Sequence, residues 1–154
     1  MRALNVQLPW AWLIVHGFKT YELRTRRTRI RGNVAIRATK FDRDAAAAVR
    51  RRFPDLALAS DDELKRLKSC VLGTAEISDC VPVAELADVT ERSRVPLSRQ
   101  GGWPIAWVLK KPQALKRPLP CPATPGPVTW ATVPARVAQQ LRGQVSGNSS
   151  SKRA

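Results

Sequence analysis

The strand-like segments of this chain are short, and no regular alternation with long helices separates them. About six segments alternate between apolar and polar residues or are rich in β-branched ones. They are RALNV, FKTYELRT, NVAIRATK, CVLGTAEISDCV, IAWVLKKP and VTWAT. Roughly three or four short helices lie among them, without the strand–helix–strand rhythm of a parallel sheet. The pattern predicts an α+β fold in which a barrel of about six strands carries short helices on its outside.

The ends of the first helices are marked by their residues. Pro9 suits a first helical position and Gly17 suits the residue just past a helix end, so a two-turn apolar helix is predicted between them. Residues 42–52 are rich in Ala, with acids first and bases last, which favours a second helix. Ser60 or Asp61 is suited to cap a third.

The second half of the chain suggests where the folded domain ends. Six prolines fall within residues 112–127, which predicts an extended or looped segment, with an edge strand as one alternative. A further helix is predicted to begin at Pro134. The polar, small residues beyond it predict one domain over 1–142 and a disordered tail over 143–154.

The chain carries far more basic than acidic residues. Its 154 residues include 27 Lys and Arg against 12 Asp and Glu, a formal net charge of +15. Of these, 13 basic and 3 acidic residues lie within 1–53. Such a charge attracts polyanions, which favours nucleic acid as the partner over an anionic membrane or a merely soluble basic protein. The first third of the chain is expected to supply most of the binding face.

Cysteine and histidine usage argues against metal or disulfide chemistry. Cys70, Cys80 and Cys121 are widely spaced, odd in number and accompanied by a lone His16. We therefore expect no metal, no cofactor and no disulfide framework, with each cysteine a small buried hydrophobe. No signal peptide or apolar run of membrane-spanning length is seen, so a cytoplasmic protein without membrane contact is expected.

The segment GFKTYELRTRRTRIRG is the most informative for function. It brings Lys19, Glu22 and Arg24 close together, and strand alternation places Thr20, Glu22 and Arg24 on one face. Such a cluster can hold a base edge, a phosphate or a small polar substrate. The alternative is a surface salt bridge.

An arginine-rich arm follows that cluster, and no acid occurs from Thr25 to Thr39. Guanidinium groups bind phosphates bidentately and stack on bases, so we expect the arm to face a nucleic-acid backbone rather than to be a solvated loop. The predicted phosphate ligands are Arg24, Arg26, Arg27, Arg29, Arg31, Arg37 and Lys40. Among the five tryptophans, Trp10 and Trp107 are expected in the core, whereas Trp103 lies in a loop and is expected to line a cleft.

These residues resemble the ASCH domain family, a member of the PUA-like barrel superfamily. Gly17, Lys19, Glu22 and Arg24 match the family pattern G-x-K-x-x-E-x-R position by position. The stretches VLGTAEISDC and IAWVLKKPQALKRPLPCPATPG extend the resemblance over most of residues 1–132. Leu8 is a departure, because it separates Gln7 from the proline that follows the glutamine directly in the family. Gln7 is therefore a secondary site candidate.

The resemblance implies a PUA-like β-barrel with helices outside, a basic cleft and RNA or other nucleic acid as the ligand, RNA being favoured over DNA. It also implies an enzymatic alternative. One branch of the family hydrolyses N4-acetylcytidine through a threonine, a lysine and a glutamate. Lys19 matches that lysine, but Glu22 stands where the threonine would be, which leaves Thr20 as a substitute.

Another branch is associated with ribonuclease activity. In that reading, Glu22 or Tyr21 would act as the base, with Lys19 and Arg24 as the cations. A third hypothesis makes the chain a protein-interaction module that binds a partner through residues 112–127, although that leaves the charge unexplained. The leading prediction is an RNA-binding domain that holds one nucleotide.

Overall fold

Six strands form one sheet in the computed structural model, which describes residues 1–96, 99–123 and 129–151. They are β1 (Arg2–Leu8), β2 (Tyr21–Arg24), β3 (Gly32–Phe41), β4 (Cys70–Pro82), β5 (Ile105–Pro120) and β6 (Trp130–Thr132). Their order is β2-β5-β4-β3-β1-β6, with β1 and β3 parallel and every other pair antiparallel.

The sheet curls until its two ends approach each other. The rings of Trp107 on β5 and Trp130 on β6 stack with centroids 5.9 Å apart, although these strands lie towards opposite ends of the strand order. Arg24 on β2 likewise donates through Nη2 to the carbonyl of Asn5 on β1 at 2.7 Å. The result is a half-barrel that side chains, rather than a strand ladder, hold together. The predicted α+β fold of about six strands with short helices is confirmed.

Five α-helices surround the sheet in the described residues. They are α1 (Trp10–Val15), α2 (Arg43–Arg52), α3 (Asp61–Arg66), α4 (Val89–Ser93) and α5 (Ala135–Ser151), and a 3₁₀ turn covers Val83–Glu85. Pro9 is the N-cap of α1 rather than its first helical residue, whereas Gly17 has the predicted positive φ of 82°. Ser60 caps α3 through a bond from the N–H of Glu63 to its hydroxyl.

Both faces of the sheet are covered, because α5 and the end of β5 pack on the face opposite the main core. The main core is built on alternate sheet residues such as Leu4, Ile36 and Ile77. Ala35 and Val71 point the other way and pack with Leu141 of α5 in a second cluster. The residues of NVAIRATK therefore alternate between two faces of β3, as the pattern indicates, but both faces are buried.

Two prolines of the 112–127 segment lie where the ladder between β4 and β5 is irregular. Pro118 falls in the register shift between Val71 and Gly73, and Pro112 falls in the shift between Thr74 and Glu76. Beyond Leu109, no strand in the described part of the chain pairs with the other side of β5, so this stretch is an edge, as one alternative predicts. The segment at 124–128 lies outside the described residues.

The C-terminal helix is longer than the sequence predicts. It begins after Pro134 as expected but continues to Ser151, so the prediction of disorder from residue 143 is wrong for residues 143–151. Val145 packs against the second cluster, and the Gln144 side chain bonds to both the N–H and the carbonyl of Arg117. These tertiary contacts stabilise a segment whose composition alone favours disorder. The predicted tail residues 152–154 lie outside the described residues.

Candidate functional site

A cavity of about 620 Å³ opens between α1, β2, the ends of β1 and β3, and the segment that follows α4. Its charged lining residues are Lys19, Glu22, Arg24, Lys40, Asp42 and Arg99. Strand alternation turns Glu22 and Arg24 towards the cavity, while Lys19 reaches it from the turn after α1. The structure thus brings together the three residues that the sequence predicts as a cluster.

Lys19 is the most deeply buried charged residue of the site, with 1% of its surface exposed. Its Nζ donates to the carbonyls of Tyr21 and Ser93, each at 2.7 Å, and lies 5.3 Å from the ring centroid of Trp10. Burial lowers the pKa of Lys19 to about 8, although the Glu22 carboxylate partly opposes that shift and Arg24 adds to it. Near neutral pH the Lys19 side chain is therefore mostly protonated. Two of its three ammonium N–H groups bind the carbonyls, and the third remains for a ligand or solvent.

Glu22 and Arg24 leave two buried polar atoms unsatisfied at the cavity. Glu22 Oε1 lies 3.8 Å from Arg24 Nε, too far for a hydrogen bond. Within the described part of the chain, neither Glu22 Oε2 nor Arg24 Nε has a hydrogen-bond partner. The rest of the Arg24 side chain is fixed, because Nη2 bonds to Asn5 and the guanidinium lies 5.5 Å from the Trp107 ring centroid. An acceptor and a donor therefore lie side by side without partners.

The rim of the cavity combines positive charge with an aromatic ring. Lys40 is exposed, and Arg99 Nη2 lies 3.2 Å from Asp42 Oδ2. The other oxygen of Asp42 accepts the Ala45 N–H and so caps α2. Trp103 lies in the loop before β5 with 43% of its surface exposed, and it lines the cavity as predicted.

Thr20 and Tyr21, the other proposed catalytic residues, do not line the cavity. The Thr20 hydroxyl accepts a bond from Arg92 Nε at 3.0 Å, and the Tyr21 hydroxyl accepts one from Arg92 Nη1 at 2.8 Å. Because β2 begins only at Tyr21, strand alternation does not extend to Thr20. The tyrosine ring packs with Leu23 and Val89 on the side away from Glu22. Thr39 also lines the cavity, although nothing in its local sequence marks it as a site residue.

The arginine arm is exposed between β2 and β3 but lies outside the cavity. Arg27 Nη1 donates to the Cys80 carbonyl, and Arg31 Nη1 donates to the carbonyls of Thr28 and Ile30. Arg26 and Arg29 show no side-chain hydrogen bond or ion pair to the rest of the described chain. These two guanidinium groups are the ones most available to an external anion.

Arg37 is not an exposed phosphate ligand, and that prediction is wrong. Only 3% of its surface is exposed, because the second cluster covers its face of β3. Its Nε donates to the Cys121 carbonyl at 2.6 Å and its Nη1 to Asn5 Oδ1 at 3.1 Å. Since Asn5 also binds Arg24 through its carbonyl, Arg37 supports the cavity wall from behind.

Other wall residues are not recognisable from the sequence as members of the site. Trp10, expected in the core, packs on the core and also lines the cavity beside Lys19. Asn5, Asp42 and Arg99 come from three separate elements, and only the folded chain brings them together. Gln7, the secondary candidate, lines the cavity as well.

Neither a metal cluster nor a membrane-spanning helix is found in the described ranges. No three His, Cys, Asp or Glu residues of these ranges group as ligands. None of the helices described there is long and apolar enough to cross a bilayer. The three cysteines are unpaired, with Cys80 and Cys121 buried and Cys70 half-buried, and burial raises the pKa of the Cys70 thiol.

Comparisons with known proteins agree on one family and fold. The model of the ASCH domain matches residues 4–119. The crystal structure of ASCH from Zymomonas mobilis is similar with a TM-score of 0.59 and 16% identity, covering 92% of this chain and 93% of that one. Two mutants of that protein match with the same TM-score of 0.59. One mutant is 18% identical, and the match covers 92% of this chain and 94% of the mutant. The other mutant is 16% identical, and the match covers 92% of this chain and 96% of the mutant. No curated protein matches the sequence.

Proposed function

This chain belongs to the ASCH domain family, and from the chemistry of its cavity we propose that it binds single-stranded RNA with one nucleotide held by Lys19, Glu22 and Arg24. The ligand's base enters the cavity, and its phosphates lie at the basic rim. The arginine arm, through Arg26 and Arg29, contacts the backbone of neighbouring nucleotides.

The observation that carries the proposal is the pair of unsatisfied atoms, Glu22 Oε2 and Arg24 Nε. A buried polar atom without a partner costs about 1–3 kcal/mol, so a ligand that satisfies both recovers that free energy. The edge of a nucleobase presents a donor beside an acceptor, which complements a carboxylate oxygen beside a guanidinium N–H. A phosphate alone would suit Arg24 but would be repelled by Glu22.

Size, charge and aromatic rings support the same ligand. A volume of about 620 Å³ lies within the range of small-molecule sites and accommodates a nucleotide. Trp10 and Trp103 supply ring surface in the walls, and stacking on aromatic rings is how proteins bind unpaired bases. Lys40 adds positive charge at the opening, where phosphates would lie, and Arg99 adds a guanidinium that Asp42 partly neutralises.

The test is an affinity measurement with end-labelled single-stranded RNA at physiological salt, in which RNA length is followed in parallel. Glu22→Gln replaces one acceptor oxygen with a donor, and we expect affinity to fall about tenfold, as for the loss of one buried hydrogen bond to a charged group. Glu85→Gln is the matched control, since Glu85 is exposed and does not line the cavity. Unchanged affinity in both Glu22→Gln and Arg24→Lys would refute the proposal.

A ribonuclease is the second candidate, because a carboxylate and an ammonium share the cavity. Glu22 would accept the proton of the ribose 2′-hydroxyl, whose oxygen attacks phosphorus as the bond to the 5′-oxygen breaks. Lys19, mostly protonated near neutral pH, would donate a proton to that leaving oxygen, giving a 2′,3′-cyclic phosphate. Cleavage of RNA by wild type but not by Lys19→Met would support the ribonuclease hypothesis. The amidohydrolase alternative lacks its expected nucleophile, since Thr20 does not line the cavity.

A further inference from the structure

Three aromatic rings stack on the outer surface next to the cavity. Trp12 is the central ring, with His16 on it at 4.1 Å between centroids and Phe18 at 5.9 Å, the planes inclined by 23° and 10°. His16 is held in place by a bond from Nδ1 to the Trp12 carbonyl at 2.9 Å. We call these three residues the aromatic stack.

Two of the three rings in the aromatic stack are exposed to solvent and do not belong to the hydrophobic core. Trp12 is half-buried against the hydrophobic core, but His16 is exposed and Phe18 keeps 36% of its surface in contact with solvent. Phe18 is one of only three large hydrophobic residues of the described chain that are exposed to this degree. Parallel rings at this spacing resemble stacked bases, so a further flat ring can extend the series.

The aromatic stack adjoins the cavity through the residues around Lys19. Phe18 precedes Lys19 in the chain, and Arg94 precedes Val95, which also lines the cavity. Arg94 Nε donates to the Phe18 carbonyl at 2.8 Å, while Lys19 Nζ donates to the Ser93 carbonyl. An RNA strand that crossed this wall on leaving the cavity would pass Phe18.

The surroundings of the stack are positively charged. Arg94 has a left-handed backbone, with φ of 59°, and its guanidinium lies 4.8 Å from the ring centroid of Phe53. Within the described chain Arg94 makes no ion pair, so its charge is available to a phosphate. The guanidinium of Arg52 lies 5.0 Å from the same ring centroid, but Arg52 is paired with Glu91. A flat aromatic ligand with an attached anion fits this combination.

We propose that the aromatic stack is a second nucleotide site, in which the base next to the one in the cavity stacks on Phe18 and its phosphate binds Arg94. This site deepens the proposed function and rests on it. RNA is favoured over a protein partner because the stack combines flat rings with an unpaired cation on a chain of net charge +15.

The test compares one nucleotide with a short strand. We would measure the affinity of each of the four ribonucleoside monophosphates and of a pentanucleotide RNA with mixed bases at every position. Phe18→Ala is expected to weaken pentanucleotide binding about tenfold, as for the loss of one base–aromatic stack, and to leave the best monophosphate unchanged. Phe18→Trp is the matched variant, since it keeps a ring and should retain wild-type affinity. Phe18→Leu replaces the alanine variant if that one fails to fold.

A photochemical readout locates the contact directly. RNA carrying 5-iodouridine, irradiated in complex with the protein, should cross-link at residues 12–18, and Phe18→Ala should remove that product. No cross-link there, with equal pentanucleotide binding by Phe18→Ala and wild type, would overturn the second site while the cavity proposal stands. A loss with Phe18→Ala but none with either Glu22→Gln or Arg24→Lys would refute the cavity proposal, and with it the placement of this base next to one held in the cavity. Absence of RNA binding by wild type would refute both.

Discussion

Lys19 connects two elements that are far apart in sequence. Its Nζ binds the carbonyl of Tyr21, at the start of β2, and that of Ser93, at the end of α4. A buried ammonium loses hydration, which two carbonyls and the nearby Glu22 carboxylate replace only in part, so its pKa falls. The same group therefore shapes the cavity and carries a charge that depends on pH.

This lowered pKa predicts a pH-dependent contribution to stability. The pKa of Lys19 is about 8 in the folded chain and is expected near its ordinary 10.5 in the unfolded chain. Between these values the unfolded chain binds more protons, so the free energy of unfolding rises with pH. From pH 8 to pH 10, wild type should gain about 1 kcal/mol per pH unit relative to Lys19→Met, measured by urea denaturation. Parallel pH profiles for the two proteins would show that Lys19 is not titrating in this window.

Arg29 and Arg37 show what a residue's sequence environment can and cannot reveal. Both are arginines in the same basic region, and the sequence predicts the same phosphate-binding role for both. Arg29 lies in an exposed link, as the run of arginines indicates, whereas Arg37 is buried under a layer built from Leu141 and Cys121, about 80 to 100 residues later in the chain. Alternation predicts the side of a strand on which a residue lies, but not what covers that side.

The cluster at the site was predictable because its members are close in sequence. Lys19, Glu22 and Arg24 span one helix end and one short strand, so local spacing is enough to bring them together. Thr20 was misplaced because the strand begins at Tyr21, three residues after the start of the alternating segment FKTYELRT. Asp42 and Arg99 form their ion pair at the rim of the cavity over a sequence separation of 57 residues, and no local pattern predicts such a contact.

At the scale of elements, α5 shows how tertiary contacts override composition. Its last turns are rich in Gly, Ser and Asn, which are weak helix formers, yet the helix continues past Gly143. The Gln144 side chain forms two hydrogen bonds with the backbone of Arg117 in β5, and Val145 adds an apolar contact with the second cluster. The helix end is thus held by β5 rather than by its own propensity.

A truncation tests that interpretation. Removing residues 143–154 deletes the Gln144 bonds and the Val145 contact, and should lower the free energy of unfolding by about 2 kcal/mol. Removing residues 149–154 retains both contacts and should leave stability within about 0.5 kcal/mol of wild type. Urea denaturation of the three proteins measures the difference. Midpoints equal to that of wild type in both truncations would mean that α5 beyond residue 142 contributes nothing to the stability of the fold.

At the scale of the whole molecule, charge and cavity make separable contributions to binding. The net charge of +15 attracts any nucleic acid and speeds its capture, without distinguishing one sequence from another. The cavity acts at close range, through Glu22 and Arg24, and should govern how long a bound nucleotide stays. A variant can therefore lose affinity by losing a phosphate contact or by losing a contact in the cavity. The salt dependence of the affinity distinguishes the two cases, because only phosphate contacts release counterions.

The arm supplies the sharpest test of that separation. Arg29→Ala removes an exposed guanidinium, and should reduce the slope of log affinity against log salt by roughly 0.7, the value for one phosphate contact on a single strand. Glu22→Gln should lower affinity at every salt concentration and leave the slope unchanged. Arg136→Ala removes the same charge from the exposed surface of α5 and should preserve the wild-type slope. The measurement is RNA affinity between 50 and 300 mM salt.

Two outcomes of this series are informative. A reduced slope in Arg29→Ala alone would assign the arm to the RNA backbone. Equal reductions in Arg29→Ala and Arg136→Ala would mean that net charge, rather than a located contact, sets the salt dependence, and the arm assignment would be wrong. Arg27→Ala is a further comparison, because Arg27 already donates to the Cys80 carbonyl. Its loss should lower stability as well as affinity, whereas Arg29→Ala should leave stability unchanged because Arg29 has no side-chain partner in the described chain.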